Sequence, residues 1–362
     1  MRELYIYNKA LELTGITDEV SSIMLTKRFY DGSTFQAEFP LTEKNRELIQ
    51  PQAVIEFPNR FSGIITDVNI NTSVISVNGK SFDGMLESRV ITTGSVDDTM
   101  LTVIDKNACE AADENRRFEQ TYVDKSVDAE NVSKESLKYQ NLADYARTIC
   151  YERNLGVFSE IVHGDTNKIR LFIRNSVDRT VNQSERDPVV FSDLYENVNS
   201  MEYNYSENGA VNSAFIYSKG MMNDHGYQTC SPWSGTFGTA TGYARRESVY
   251  EIEPCIYYKT VYYGEIAVWS PMLNEEKTIL RAEAEFAEQR IEFTDCVSAA
   301  VIVDENYAEQ FDVGDVVTVY SQKMGVFTDY QVTEINESYS EEGVLINATF
   351  GEPIKSLRRL IK

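Results

Sequence analysis

A chain of 362 residues is longer than the ~250–300 at which single hydrophobic cores stop growing, so two or more domains are expected. Acidic residues number 57 against 34 basic ones, and the net charge of −23 has the wrong sign for gripping phosphates, so specific nucleic-acid binding is not expected. Twenty-two tyrosines and 17 phenylalanines beside two histidines suit a β-rich protein with little imidazole chemistry.

The first hundred residues read as antiparallel β structure. Apolar residues open the chain at Leu4 and Ile6, and Leu11–Ile16 leads through Gly15 towards Ser22–Phe29. Asp31-Gly32 is a hairpin turn signal before Thr34–Phe39. Strands are expected at Ala53–Phe57, Phe61–Ile70 and Ser73–Val77, the last closed by a second turn signal, Asn78-Gly79. Many short strands at this spacing suggest a small barrel or sandwich.

Asp105–Ser136 is polar and without sustained period, and reads as a loop or weakly ordered excursion. A helix follows over Asn141–Cys150, where Leu142, Tyr145, Ala146, Ile149 and Cys150 share one face and Gly156 is the expected stop. The face reads as core packing. Ile169–Arg174 alternates as a strand, which makes this middle stretch a small α/β insert. Strands are expected again at Val189–Phe191, Val198–Tyr205 and Ala214–Ser218. Gly220–Gly242, rich in Gly, Ser and Thr, reads as an extended loop with Trp233 at its middle. Leu273–Glu292 has helical spacing, and Val297–Phe350 should hold four or five strands.

Candidate chemistry is sparse. Cys109, Cys150, Cys230, Cys255 and Cys296 are odd in number, and no two lie at metal-ligand spacing; reduced thiols are expected, with neither a zinc site nor a disulfide framework. The acidic pairs Asp97-Asp98, Glu251/Glu253 and Glu341-Glu342 read as solvated surface, because a glycosidase needs two carboxylates facing each other across a cleft. His163 and His225 sit in loop-like settings beside Gly or Asp, short of any triad; Asp224-His225 could supply at most one pair of metal ligands. Gly235–Gly238 and Thr241-Gly242 lack the flanking elements of a phosphate cradle and suit a loop that orders on a partner. Arg245-Arg246 and Lys355, Arg358-Arg359 and Lys362 are short basic spots, the last a tail that could meet an acidic neighbour. No catalytic, cofactor-binding or metal-binding residue is expected. Met1–Tyr7 lacks the layout of a secretory leader, and no apolar run approaches the ~18 residues of a membrane span.

Three groups of residues carry a resemblance. The first is Gly63-Ile64-Ile65, then Val77-Asn78-Gly79-Lys80-Ser81-Phe82, Leu86 and Arg89-Val90-Ile91. The second is Asn141–Tyr145, Arg174, Asp178-Arg179-Thr180 and Val190-Phe191-Ser192. The third is Phe311–Val319, Val332–Ile335 and Thr349-Phe350-Gly351. In this order, over nearly the whole chain, they resemble the tail-hub family of long-tailed phages, related to baseplate hubs of contractile phages and to the N-terminal ring domain of tail-associated lysins.

The resemblance implies a mainly β fold with an α/β insert: two similar small antiparallel β-barrels over 1–105 and 191–353, an insertion domain over 106–190, a loop and helix inserted around 220–292, and a tail over 354–362. It implies a homotrimeric ring at the tip of the virion tail, assembled in the bacterial host cytoplasm. The ring would join the tail tube to distal tail, tip and fibre proteins while DNA passes through without specific binding, and would insert into no membrane. The acidic charge reads first as a solubility device and, under the resemblance, as a partial channel lining that keeps DNA from adhering. No lytic segment follows the last expected strand, so any lytic activity is expected on another chain. Two other readings are a carbohydrate-binding adhesion module using Tyr, Trp233 and Trp269, and a cell-wall hydrolase.

Overall fold

The computed structural model describes residues 3–58, 60–93, 99–110, 118–123, 140–207, 210–222, 228–289, 294–303, 307–341 and 343–351. The N-terminal strands are β1 (Leu4–Tyr7), β2 (Leu13–Thr17), β3 (Ser22–Arg28), β4 (Thr34–Pro40), β5 (Val54–Phe57), β6 (Phe61–Ile70) and β7 (Val74–Ser81). Next come β8 (Glu119–Val123), β9 (Leu155–Val162), β10 (Lys168–Asn175), β11 (Val190–Ser192) and β12 (Val198–Ser206). Then follow β13 (Ser213–Ser218), β14 (Met221–Met222), β15 (Gln228–Cys230), β16 (Trp233–Phe237), β17 (Glu247–Glu251), β18 (Ile256–Tyr263) and β19 (Ile266–Leu273). The last four are β20 (Thr294–Val301), β21 (Val316–Ser321), β22 (Val326–Ser340) and β23 (Gly343–Gly351). The helices are α1 (Glu43–Leu48), α2 (Met100–Ile104), α3 (Leu142–Arg153) and α4 (Glu275–Gln289). Strands hold 51% of the chain and helices 17%, so the mainly β expectation stands.

The chain divides into two compact units, one built from Met1–Asn204 with Cys296–Pro353 and the other on Tyr205–Asp295. The first unit holds a 13-stranded sheet in the order β12-β20-β23-β22-β3-β4-β7-β6-β5-β1-β2, with β21 and β11 branching from β22. β22 is the hub of this pairing. Its Val326–Gln331 stretch pairs with β21, and its Glu334–Ser340 stretch lies between β3 and β23.

That arrangement corrects the expectation of two closed barrels. Closing the first seven strands on themselves would need the outer edge of β3, but β22 occupies that edge over seven residues. Among the described residues the result is one open sheet with its ends at β2 and β12.

Local sequence explains each piece. In β4, Phe35, Ala37 and Phe39 are buried while Gln36 and Glu38 are exposed, the period of a strand with one face on a core. That face joins Leu4, Ile6, Leu25, Ile65 and Val77 in one cluster. A second cluster packs Phe29, Phe191, Phe311, Ile335 and Phe350. A third sets Leu142, Tyr145 and Ile149 of α3 against Leu171 and Ile173 of β10, as the helical spacing required. Asn141 caps α3 by accepting from the Ala143 and Asp144 amides. The helix ends on Asn154, whose left-handed backbone (φ 56°) returns its N–H to the Cys150 carbonyl, and not on Gly156, which lies in β9.

Asn78-Gly79 is not a turn. Both residues lie inside β7, where Gly79 sits opposite Phe35 on one side and Ile65 on the other. A Cβ at Gly79 would come within 2.2 Å of the Phe35 ring, so the glycine makes room for an aromatic and the chain runs straight on.

In the second unit β16, β13 and β17 form a three-stranded sheet, and Ala282 and Phe286 of α4 pack with Ile216 and Ile252. The expected loop over Gly220–Gly242 contains β14, β15 and β16, and Trp233 opens a strand. α4 begins two residues later than its spacing suggested, because Leu273 closes β19 opposite Ile256 and the Asn274 side chain then accepts from the Lys277 amide.

Replacing Gly79 by Ala should therefore cost about 1–3 kcal/mol by overpacking. Urea unfolding of the G79A variant should show a lower midpoint, and adding Phe35→Leu should recover part of the loss; an unchanged midpoint would contradict the contact.

Candidate functional site

A buried cluster of charged side chains in the first unit lies on β22. Thr333, Ile335, Glu337 and Tyr339 alternate onto one face of that strand, so Glu337 is a carboxylate at a core position, with its side chain 0% exposed. Lys27 of β3 and Arg60 each reach a different oxygen of it at 2.8 Å, and their side chains are only 12% and 6% exposed. The Tyr307 hydroxyl donates to Oε1 at 2.5 Å and the Tyr339 hydroxyl donates to Oε2. The Arg60 guanidinium lies 5.8 Å from the centres of both tyrosine rings.

Burial alone would push the Glu337 carboxyl up; the Lys27 charge, with hydrogen bonds from Lys27, Tyr307 and Tyr339, reverses this and holds it at about 2. The same burial, with the carboxylate beside it, pushes the Tyr307 phenol up. Both carboxylate oxygens are occupied by donors, so Glu337 acts as a tie between strands and has no proton to exchange with a substrate.

A second tie joins residues near β10 to the segment before β21. Arg179 bonds Asp315 at 2.8 Å, and Arg174 bonds Asp312 at 3.1 Å and the Val313 carbonyl. Asp315 also accepts from the Asp312 amide. Desolvation nevertheless raises the Asp315 carboxyl, against the Asp312 amide and the Arg179 charge. Between these partners Gly314 takes φ 93°, and a Cβ there would meet the Phe29 ring at 2.1 Å.

A third tie holds the turn at Asp83–Ser88. Asp83 is buried and accepts from Ser81 at 2.9 Å and from Ser159 of β9 at 2.6 Å. It lines a small cleft with Asp31, Glu87 and Arg147, where Arg147 pairs with Asp31 and Asp144. Burial pushes the Asp83 carboxyl up to about 6, partly offset by the two serine hydroxyls.

These contacts bring together the separated sequence blocks. Val190–Ser192 runs parallel to Thr318–Tyr320, Val332 pairs with Phe350, and Ile65 pairs with Gly79. The Leu142 amide donates to the Arg89 carbonyl at 2.9 Å, joining the Arg89-Val90-Ile91 block to the start of α3. Arg89 itself reaches the Ala108 carbonyl at 3.1 Å and lies over the Phe118 ring.

Other singled-out residues are scattered. His163 bonds Glu56 at 2.9 Å and faces Asn167. His225, Asp224, Asp97-Asp98, Glu342, Lys355, Arg358-Arg359 and Lys362 lie outside the described residues. Glu251 pairs with Lys219, and Arg245 and Arg246 pair with Glu247 and Glu207. Trp233 packs partly buried in the small core of the second unit, whereas Trp269 stands 72% exposed. Gly235 belongs to β16 and not to a loop. Among the described residues, no three His, Cys, Asp or Glu side chains are grouped to hold a metal ion. The sequence reading missed Glu337; its signal was a glutamate in phase with Thr333, Ile335 and Tyr339 on an alternating strand.

The profile of the siphovirus ReqiPepy6 Gp37-like protein family matches residues 3–352. The chain belongs to this family. Its fold is that of phage tail proteins. The 43 kDa tail protein of prophage MuSo2 from Shewanella oneidensis aligns with a TM-score of 0.57 at 13% identity, covering 97% of this chain and 99% of that one. A tail protein from Neisseria meningitidis MC58 aligns at 0.59 and 12%, covering 96% of each chain. Prophage tail protein gp18 from Listeria monocytogenes EGD-e aligns at 0.51 and 12%, covering 99% and 97%. No curated protein sequence matches the chain.

Two buried acids give opposite pH responses in this family member. Glu337 is held below its ordinary value of 4.5, so its stabilisation is complete above about 4.5 and is lost as pH falls towards about 2. Asp83 is raised from 3.8 to about 6, so its stabilising contribution is complete below 3.8 and is lost as pH rises through 6. Glu337→Gln leaves Lys27 and Arg60 buried beside no anion and should cost about 3–5 kcal/mol at neutral pH, with a flatter acid limb in thermal melts. Asp83→Asn should flatten the stability profile between pH 4 and about 6 instead, and a profile parallel to that of the parent would contradict the assignment.

Proposed function

We propose that this chain is a structural hub of a phage or phage-like tail tip or baseplate. Three copies form a ring that joins the tail tube to distal tail, tip and fibre proteins, and DNA passes through the ring without specific binding. Each subunit sets its two β-rich regions, 1–105 and 191–353, around the axis, with an α/β insertion over 106–190. The protein acts in the virion tail tip, after assembly in the host cytoplasm, and performs no catalysis.

The observation that carries this reading is coverage. The family profile runs from residue 3 to 352, and the tail-protein folds align over nearly all of both chains. A match from end to end supports a role for the whole chain and not for one grafted site. Two further features support assembly. The large sheet ends in β2 and β12, whose sequences Leu-Thr-Gly-Ile-Thr and Val-Asn-Ser-Met-Glu-Tyr-Asn-Tyr-Ser contain no Lys or Pro to blunt an edge. The net charge of −23 suits a channel wall that repels DNA. The glycan-platform alternative is weakened because Trp233 is packed into a core, and the hydrolase alternative because Glu337 and Asp83 have both oxygens engaged and Asp315 is paired with Arg179.

Light scattering of the purified chain, followed by averaged electron micrographs, tests the proposal. Rings with about three times the 41.2 kDa of one chain and a central hole are expected, alone or after adding purified tube protein. A chain that stays monomeric with tube protein present would overturn the ring.

A further inference from the structure

β18 and β19 form a hairpin whose strands pair only with each other among the described residues. β15 lies beside β19, where Ser270 is buried, but a two-stranded sheet is marginal in water without more packed on it. Its register sets Tyr258 opposite Pro271, Thr260 opposite Trp269 and Tyr262 opposite Ala267. Side chains alternate between the faces of a strand, so Tyr258, Tyr262 and Trp269 stand on one face. They are 57%, 72% and 72% exposed. Three such rings offer on the order of 400 Å² to solvent, comparable to the largest apolar patch on a typical monomer.

Charge narrows what can cover this face. Ile256–Leu273 contains one Lys and one Glu, Lys259 and Glu265, so the hairpin is neutral within a chain of net charge −23. Lys259 belongs to the opposite face, in phase with Tyr257 and Val261, and Glu265 lies in the turn. The aromatic face therefore carries no charge. Two copies of so acidic a protein repel; in a ring each contact is heterologous, and an uncharged face meets the acidic surface of the next copy at less electrostatic cost than a face carrying carboxylates. Interface cores are depleted of charge and enriched in Tyr and Trp, which is the composition found here. A sugar ring fits less well, because Tyr258 and Trp269 meet at 76° and do not make a flat platform.

We propose that the Tyr258–Tyr262–Trp269 face of this hairpin is a self-association surface that packs against a second copy of this chain. The choice of a second copy rests on the ring reading above. The face supplies about half of the roughly 800 Å² that each partner buries in a stable interface, so it is the core of the contact and its rim lies on neighbouring residues.

The test uses the full chain with Trp269→Glu, Tyr262→Glu and the double variant, and with Lys259→Glu as the control for added charge on the other face. Light scattering over a concentration series measures association, and circular dichroism melts check the fold. The aromatic variants should associate at least tenfold more weakly with unchanged melts, Trp269→Phe should restore most of the association, and the control should match the parent. A double variant that keeps the parent's mass would overturn the surface and leave the ring intact. A parent chain that stays monomeric with purified tube protein present would overturn both. Binding of a neutral polysaccharide that is lost in Trp269→Glu, with the mass unchanged, would replace the second copy by a sugar.

Discussion

The structure depends on one buried carboxylate and the strand that carries it. Glu337 sits at a core position of β22 with two cations and two phenols around it. Tyr339 lies two residues on along the same strand, but the other three partners come from elsewhere: Lys27 and Arg60 belong to the N-terminal region, and Tyr307 precedes β21. Buried ion pairs contribute little net stability over apolar residues, but losing one partner is costly. What this cluster provides is register. A slip of β22 by one residue would turn Glu337 outward and leave Lys27 and Arg60 facing a core without an anion. The hydrogen bonds from Arg28 to Glu334 and from Thr26 to Asn336 keep the same alignment on the other face of the same strand pair.

From that alignment the remaining architecture follows. Because β22 takes the edge of β3, the two ends of the chain share one sheet and the barrels that each region suggested by itself stay open. Because Gly314 leaves room for Phe29, the turn before β21 can draw Asp312 and Asp315 towards Arg174 and Arg179. β9 and α3 are then pinned through Ser159 and the buried Asp83, and through the Leu142 amide on the Arg89 carbonyl.

The sequence made visible what local chemistry determines. Asp31-Gly32 marked the turn into β4, and the apolar spacing over Asn141–Cys150 marked α3. Asn78-Gly79 misled because its turn preference is a local tendency, overridden by Phe35 packing across the sheet. The glycine-rich stretch before Gly242 misled in the same way: Gly235 is tolerated in β16 because its strand is paired with β13. The shared sheet left no local signal, since pairing between residues some 310 positions apart depends on contacts that composition does not encode. The Asp178-Arg179-Thr180 and Phe311–Asp315 blocks were visible as motifs, and the Arg179–Asp315 bond shows why they occur together. Glu337 was passed over as one acid among many, although its phase on the strand set it apart.

The chain has the fold of tail proteins, a large sheet that ends in β2 and β12 among the described residues, and an uncharged aromatic face on an otherwise acidic sequence. All of that rests on the two ends of the chain behaving as one cooperative body around β22. Native-state hydrogen exchange read by mass spectrometry tests this most directly. The amides of β3 and β4 should exchange with the same opening free energy as those of β22 and β23, and Glu337→Gln should lower all four together. Exchange of the N-terminal strands independent of β22 and β23, unaffected by that substitution, would contradict the account.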